Sequence, residues 1–380
     1  MGLLDGVRAI EVGQALAGPY TGMILADLGA DVIKIEKPEG GDDARLWGPP
    51  FTDGYSHVFR AFNRNKRSVV LDLKQAGDVA LLKRLAADAD IFIQNLRPGV
   101  AEDIGIGAAA MQAVNPALIY CNISAFGRTG PMARHPGMDP LVQAYCAVMT
   151  LTGGPEDPPT FCAPPINDKA TGMWAAIGAL SALEERRRTG KGRVIDASLF
   201  ESGVAWVESQ LNSFVNAGIE PKRTGAASPN LIPYQTFPTA TVDICVAAGN
   251  DRLFVKFAGV VERKDWLEDP RFATGPARAE HRAALLPEVA AALLTRPCAE
   301  WIERLEAAGV PCSVVNDVRG LAESPQLEAV NIMRDMPGEG LRMVGLPFEI
   351  DGARPHNRRP APKLGEHTEE VLGALRSAAE

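Results

Sequence analysis

Val7-Arg8-Ala9-Ile10-Glu11-Val12, the break at Gly18-Pro19, the run Tyr20 to Leu28 and the closing Asp31-Val32-Ile33-Lys34-Ile35-Glu36 decide the fold. The first segment is short and rich in β-branched residues, as a strand requires. Proline is welcome at a first helical position. Tyr20, Met23, Ile24 and Leu28 then recur at helical spacing. Gly29 ends that helix, and Asp31–Glu36 reads as the next strand. Thirty-six residues thus predict a strand, a helix and a second strand.

The same plan repeats downstream. Ser68–Leu73 is predicted as a strand, Asp78–Ala87 as a helix and Asp90–Gln94 as a strand. Ala117–Ser124 follows Asn115-Pro116 as another strand. Strands alternating with helices predict an α/β fold with a parallel sheet covered on both faces. Met173–Arg188 is predicted as a long helix whose buried stripe is Met173, Ile177, Leu180 and Leu183. Its three terminal arginines suit a helix C-terminus. Thr189-Gly190-Lys191-Gly192 ends it, and Arg193–Ala197 returns as a strand. Beyond about residue 220 the texture changes. Pro221–Pro238 reads as linker or loop, Thr241–Ala247 as a strand, and 278–308 as Ala- and Leu-rich helix. We expect a large domain over 1–200, a linker over 201–225, a smaller domain over 226–325, and a return to the large domain over 326–380. The tail 351–366 is Pro- and Arg-rich and irregular, and Glu366–Ala378 reads as a final helix.

Composition narrows the function. The chain has 380 residues, 46% of them hydrophobic and 23% charged, as a globular core requires. Its formal charge is −8, which argues against nucleic acid or an anionic membrane as partner. No apolar run approaches the roughly 18 residues of a membrane span. The start Met1-Gly2-Leu3-Leu4-Asp5-Gly6 has neither the basic region of a signal peptide nor, at Gly6, the hydroxyl residue that myristoylation wants. The cysteines at 121, 146, 162, 245, 298 and 312 are scattered, which suits reduced thiols in the cytoplasm.

The chain has no Gly-x-Ser-x-Gly elbow, no Cys-x-x-Cys, no His-Glu-x-x-His and no Walker loop. The five histidines make no helical metal pair, so no metal is expected. What remains is Asp168, just ahead of the long helix in Pro164-Pro165-Ile166-Asn167-Asp168-Lys169-Ala170-Thr171-Gly172. It is either a helix cap or a nucleophile, held ionised by the helix dipole and able to carry an acyl group covalently. Gly105-Ile106-Gly107 resembles a dinucleotide fingerprint in letters only, since no hydrophobic strand precedes it. The cations of Asn63-Arg64-Asn65-Lys66-Arg67, with Lys74, are either a phosphate site or a solvated turn. His135, in the loop Gly130–Asp139, is either a general base or a surface residue.

Several segments together resemble the class III CoA-transferases, the family of formyl-CoA transferase and carnitine CoA-transferase. They are Leu4-Asp5-Gly6, Ala17-Gly18-Pro19, Asp27 to Glu36, Asn65-Lys66-Arg67-Ser68, Leu71-Asp72-Leu73-Lys74, and Asn95 with Pro98-Gly99. Farther on come Asp168 with Gly172, Thr189-Gly190-Lys191-Gly192, Ser228-Pro229 with Pro233-Tyr234, and Leu364-Gly365-Glu366-His367-Thr368. The resemblance implies a Rossmann-like large domain built from both chain ends, an inserted α+β domain, and a homodimer of two interlocked chains. It implies that Asp168 attacks the thioester of a donor acyl-CoA, forming a mixed anhydride and then an aspartyl-CoA thioester. CoA would be met by Leu16, Ala17, Lys37, Leu71, Asp72, Leu73, Lys74, Asn95, Leu96, Arg97 and Asp139. No tightly bound cofactor is implied; coenzyme A, as acyl-CoA, and a carboxylic acid are the substrates.

Departures matter too. Asp103 stands where formyl-CoA transferase has a CoA-binding arginine, a contact Arg97 could replace. Its glycine-rich flap is also missing, with Gly225-Ala226-Ala227-Ser228-Pro229 instead. The stretch Gly41 to Phe51 resembles the branch that moves CoA from succinyl-CoA to dicarboxylates. The rival α-methylacyl-CoA racemases carry a Gly-His-Asp triplet; here it is Gly137-Met138-Asp139, and Met138 can neither give nor take a proton. His135 stands three residues too early to replace it. A non-catalytic CoA-binding protein is the other alternative, disfavoured by retention of Asp168.

Overall fold

The structure, a computed structural model, describes residues 2–377. The described chain divides into two compact units. The larger gathers the chain up to Val148, Phe161–Ile219, and everything from Gln326 on; the smaller is Met149–Thr160 with Glu220–Pro325.

Among the described residues the large unit's central sheet has six strands: β1 (Arg8–Val12), β2 (Asp31–Glu36), β3 (Lys66–Val70), β4 (Ile91–Gln94), β5 (Ile119–Ser124) and β6 (Val194–Ser198). Every pairing is parallel, in the order β3-β2-β1-β4-β5-β6. That is the doubly wound Rossmann order, which reverses direction between β1 and β4. Both faces are covered, so the central strands are buried along their length: Ile10, Ile33, Ile91 and Phe92 are exposed to 1% or less, and the charged Glu11, Lys34 and Glu36 are buried among them. Phe92 stacks on Tyr120 of the neighbouring strand at 5.1 Å. Helix α1 (Ala17–Asp27) links β1 to β2, and α2 (Ala76–Ala87) links β3 to β4. The predicted strand Ser68–Leu73 stops early because Asp72 turns the chain, its carboxylate accepting from Lys74 N at 3.1 Å. The C-terminal tail clasps this edge strand: Thr368 Oγ1 accepts from Val70 N at 3.0 Å, and His367 N donates to Ser68 O at 2.9 Å. A covered edge does not recruit foreign strands.

Three expectations are corrected. The long helix α4 spans Ile166–Thr189, seven residues earlier than its predicted start, after the short helix α3 (Asp139–Tyr145). The missing start signal comes from outside the helix, as described below. Its predicted stripe is half right: Leu183 is buried and Leu180 packs against the core, but the N-terminal half is misplaced. Ala170, Ala175, Ala176, Ala179 and Ala182 face inward, while Met173, Trp174 and Ile177 are 38%, 55% and 50% exposed. Small residues win that face because α4 lies close to α1: a Cβ on Gly172 would stand 2.9 Å from Ala17 O. Finally, much of the expected linker 201–225 is helical, as α5 (Leu199–Trp206) and α6 (Glu208–Ala217). Ser198 Oγ caps α5 by accepting from Glu201 N at 3.1 Å. None of α6 is buried, and its Leu211, Phe214 and Val215 stand exposed at helical spacing.

The small unit has an antiparallel three-stranded sheet with β8 (Ile244–Ala247) between β7 (Tyr234–Phe237) and β9 (Cys312–Val314). β7 thus occupies the end of the predicted loop Pro221–Pro238. Helices α7 (Asp251–Val260), α8 (Arg282–Leu293) and α9 (Cys298–Ala307) cover it. Pro297 separates the last two, dividing the predicted helix 278–308. Phe254, Phe257 and Trp266 stack in its core.

A hairpin of β10 (Met333–Met336) and β11 (Leu341–Val344) follows in the large unit, and α10 (Thr368–Ser377) closes the chain. Ala378, the predicted last helical residue, lies outside the described residues. No helix among the described residues is long and apolar enough to cross a membrane.

Candidate active site

In a sheet that reverses direction between two strands, loops leaving their carboxyl ends diverge and open a crevice. Here those loops follow β1 and β4. Ala15, Leu16 and Ala17 on one side and Asn95, Leu96, Arg97 and Pro98 on the other line a cavity of about 130 Å³. Ile123, Ser124 and Ala125 after β5, with Leu199 after β6, extend the wall. Asn95 ties the two loops together, accepting from Gln14 N and donating to Gln14 O, both at 2.8 Å. Helix α1 starts at this pocket with no side-chain cap among the described residues. Its first N–H groups, on Ala17 and Gly18 since Pro19 has none, therefore lack a side-chain partner.

A buried charge network sets the first loop. Lys34 Nζ, on β2, donates to Gly13 O at 2.7 Å and meets Glu11 at 2.8 Å and Asp42 at 2.9 Å. Asp42 accepts from Ala15 N at 3.0 Å, holding Ala15 in the left-handed region (φ 64°) at the pocket rim. Lys66 closes the other side of Glu11 at 2.7 Å and donates to Pro19 O at 2.8 Å. Glu36 takes Arg45 and Ser68. Burial alone would lower the pKa of the Lys34 ammonium, but Glu11, Asp42 and Glu36 outweigh it and raise it above an ordinary lysine. Burial would raise the Asp42 and Glu36 carboxyls, yet Lys34 lowers the first, and Arg45 with Lys34 and Ser68 lowers the second. Burial brings Lys66 down to about 8 despite Glu11. An unpaired charge in this place would cost several kcal/mol; here each is met.

The same network overturns both readings of Asn63–Arg67. Arg64 is buried against Asp27 at 2.6 Å, Lys66 lies in the network, and Arg67 forks onto Asp31. These cations hold the sheet and form neither a phosphate site nor a solvated turn. Gly105–Gly107 likewise forms no dinucleotide site: Gly107 is the residue before the helix Ala108–Val114.

The pocket's far wall carries Asp168. It is not a cap: it lies inside the first turn of α4, whose flanking residue is Pro165. The cap comes from Asp139, at the start of α3. Asp139 Oδ1 accepts from Asn167 N at 2.8 Å and Asp168 N at 3.0 Å, and Oδ2 accepts from Gln143 Nε2 at 2.5 Å. Asp139 therefore starts α4 early. It also consumes the N–H groups whose positive end was expected to hold Asp168 ionised. The result is opposite to that expectation: burial, and then the adjacent Asp139 charge, push the Asp168 carboxyl up to about 7. A carboxylate so placed is weakly solvated and half-ionised near neutrality, as catalytic groups often are.

The loop Gly130–Asp139 closes the pocket. A Cβ on Gly137 would stand 2.5 Å from the Ala125 Cβ, so glycine is needed for the loop to reach the sheet. Both His135 and Met138 consequently line the same cavity as Asp168. The separation of His135 from the triplet position in sequence did not keep it out of the pocket.

The CoA-transferase family III model matches residues 4–368. The chain belongs to CoA-transferase family III. This transferase is 35% identical to a succinate–glutarate CoA-transferase of Agrobacterium fabrum, over 98% of this chain and 95% of that one. It is 37% identical to an acetyl-CoA:oxalate CoA-transferase of Acetobacter aceti, over 96% and 94%. A crystal structure of a CAIB/BAIF family protein from Brucella suis superposes with a TM-score of 0.90 at 36% identity, covering 99% of this chain and all of that one. The enzyme's substrates are CoA thioesters, as its family requires.

The residues singled out in the sequence of this CoA-transferase fall into three groups. Leu16, Ala17, Asn95, Leu96, Arg97 and Asp168 line the cavity together. Lys37 and Leu71-Asp72-Leu73-Lys74 do not; they follow β2 and β3 at the same end of the sheet. Lys37 pairs with exposed Asp43 at 2.6 Å, and Leu71 is buried. Asp139, expected beside CoA, is instead 4% exposed and holds the start of α4. Asp103, which stands where formyl-CoA transferase has a CoA-binding arginine, ends the short helix Val100–Asp103 and is exposed. Ser124 and Leu199 carried no motif in the sequence, while Trp47 came only within the stretch Gly41 to Phe51. Ser124 was accessible in principle, as the last residue of a parallel strand beside the crossover.

Proposed function

We propose that this enzyme moves CoA from an acyl-CoA donor, with succinyl-CoA the first candidate, to a small dicarboxylic acid through covalent intermediates on Asp168. The observation that carries the reading is the Asp168 carboxyl itself, set in the switch-point pocket with its pKa raised to about 7. In its ionised form, an Asp168 oxygen attacks the thioester carbonyl carbon. The C–S bond breaks, its electron pair leaves on sulfur, and a mixed anhydride and CoA thiolate result. The thiolate attacks the aspartyl carbonyl of the anhydride and expels the donor acid as its carboxylate. The product is an aspartyl-CoA thioester. An acceptor carboxylate attacks that carbonyl, releasing thiolate again. The thiolate then attacks the acceptor's acyl carbon, forming the new acyl-CoA and freeing Asp168. No step consumes water, so closing the pocket against solvent preserves the activated acyl group.

CoA is proposed to run from Lys37 and Leu71–Lys74 along the carboxyl ends of the strands to Asn95–Arg97, with its sulfur at Asp168. The uncapped N–H groups of α1 suit the oxyanion that forms at each attack. Transfer is preferred to α-proton exchange because the relatives reported above are named CoA-transferases and Met138 offers no proton carrier. The exposed apolar faces of α4 and α6 support a homodimer, since Trp174, Ile177, Phe214 and Val215 are each at least half exposed. A grid of acyl-CoA donors against carboxylate acceptors, run in deuterated water and read by mass spectrometry, tests the function. We expect CoA to move between dicarboxylates without deuterium at the α-carbon. Deuterium incorporation without transfer would overturn the proposal.

A further inference from the structure

The pocket that holds Asp168 presents two basic side chains, Arg97 and His135, among largely apolar neighbours: Leu16, Ile123, Met138 and Leu199. Among the described residues the His135 ring makes no hydrogen bond, although its backbone N–H is bonded to Met132 O at 2.9 Å. Its position is fixed from both sides. Pro136 limits the backbone next to it. Gly137 brings the loop against Ala125, and Asp139 anchors the far end to α4. The imidazole is solvent-exposed and unengaged, and this pinned loop presents it at the edge of the cavity.

We infer that His135 is a specificity-determining residue that receives the second carboxylate of a dicarboxylic substrate while the first reacts at Asp168. The inference rests on the transferase reading above and deepens it. When one carboxyl of such an acid is joined to CoA or to Asp168, the other must remain charged near a wall that is mostly apolar. His135 and Met138 are solvent-exposed, so that carboxylate keeps part of its water, and a positioned donor is what distinguishes it from a methyl group. Arg97 belongs to the Asn95–Pro98 loop, along which CoA is proposed to run. His135 lies on the separate loop and remains to meet the acid, as a charge-assisted donor. A site built to pair a polar group discriminates strongly against an analogue that lacks it. A monocarboxylic acid of the same chain length is that analogue.

The test compares the wild-type enzyme with His135→Gln and His135→Lys. Acceptors are glutarate and valerate, succinate and butyrate, with acetyl-CoA and succinyl-CoA as donors. Ping-pong kinetics give kcat/KM for each acid separately. We expect His135→Gln to lower the dicarboxylate-to-monocarboxylate ratio of kcat/KM about tenfold or more, and His135→Lys to restore much of it. An unchanged ratio, or equal loss with both acids, would overturn the inference while leaving the transferase reading intact. Wild-type exchange of the α-hydrogen with solvent deuterium that His135→Gln removes would overturn it in favour of a proton carrier. Absence of transfer by the wild-type enzyme from any donor to any acid would instead overturn the transferase reading itself.

Discussion

Behind the pocket's first loop, Glu11, Glu36 and Asp42 are met by Lys34, Lys66 and Arg45; across the pocket, Asp139 and Asp168 lie together with no salt bridge among the described residues. Both regions take carboxylates out of water. In the first, three acids and three bases balance, and the Asp42 and Glu36 carboxyls remain below their ordinary range. In the second, burial and a like charge push Asp168 up to about 7. The difference is the partner, and it separates a structural role from a chemical one. Matched charges fix the loop at Gly13–Ala17, while an unmatched one is left poised to react.

The comparison breaks most completely if the unmatched charge is removed. Asp168→Ala is expected to lower transfer at least about a thousandfold, as loss of a covalent nucleophile does, with the fold retained by circular dichroism. Removing a matched charge should act on stability instead. Lys34→Met leaves Glu11 and Asp42 buried beside only part of their cations, and should cost about 3–5 kcal/mol in urea denaturation. Unaltered stability in that variant would mean the network is not the support described here.

Two further variants sharpen the second region. The free-enzyme pH profile, read from kcat/KM, should rise with pH through about 7, because Asp168 must lose its proton before it attacks. Asp139→Asn keeps an acceptor for the α4 backbone but removes the like charge. Its midpoint should move to lower pH by about one unit, and not back to an ordinary aspartate, because burial is the larger cause. The last effect concerns folding. Folded Asp168 keeps its proton to about pH 7, whereas an unfolded aspartate loses it near 4. Between these values the folded state binds more protons, so stability falls as pH rises. Asp168→Asn cannot ionise. It should be more stable than the wild-type enzyme by about 4 kcal/mol at pH 8 and nearly equal to it near pH 4, by thermal denaturation.

The alternation of strands and helices was legible because each element carries its own period and its own stop. Asp31–Glu36 was placed to the residue, and the crossover helices to within two. Asp168 emerged by elimination and by the family resemblance. What could not be read shares one cause, a partner distant in sequence. α4 begins early because Asp139, 28 residues before Asn167, caps it. Arg64, Lys66 and Arg67 looked like a solvated or phosphate-binding run because Asp27, Glu11 and Asp31 cannot be seen to face them. Met173 and Ile177 of the α4 stripe were misplaced, though Leu180 and Leu183 were not, because close packing on α1 required alanine and glycine there.

Mixing the enzyme with acyl-CoA in the absence of acceptor, quenching in acid and digesting for mass spectrometry addresses Asp168 directly. The account predicts a mass gain of one CoA less one water on the peptide containing Asp168, lost on adding a dicarboxylate and absent from Asp168→Ala. Transfer at full rate with that peptide unmodified at every time point would contradict it.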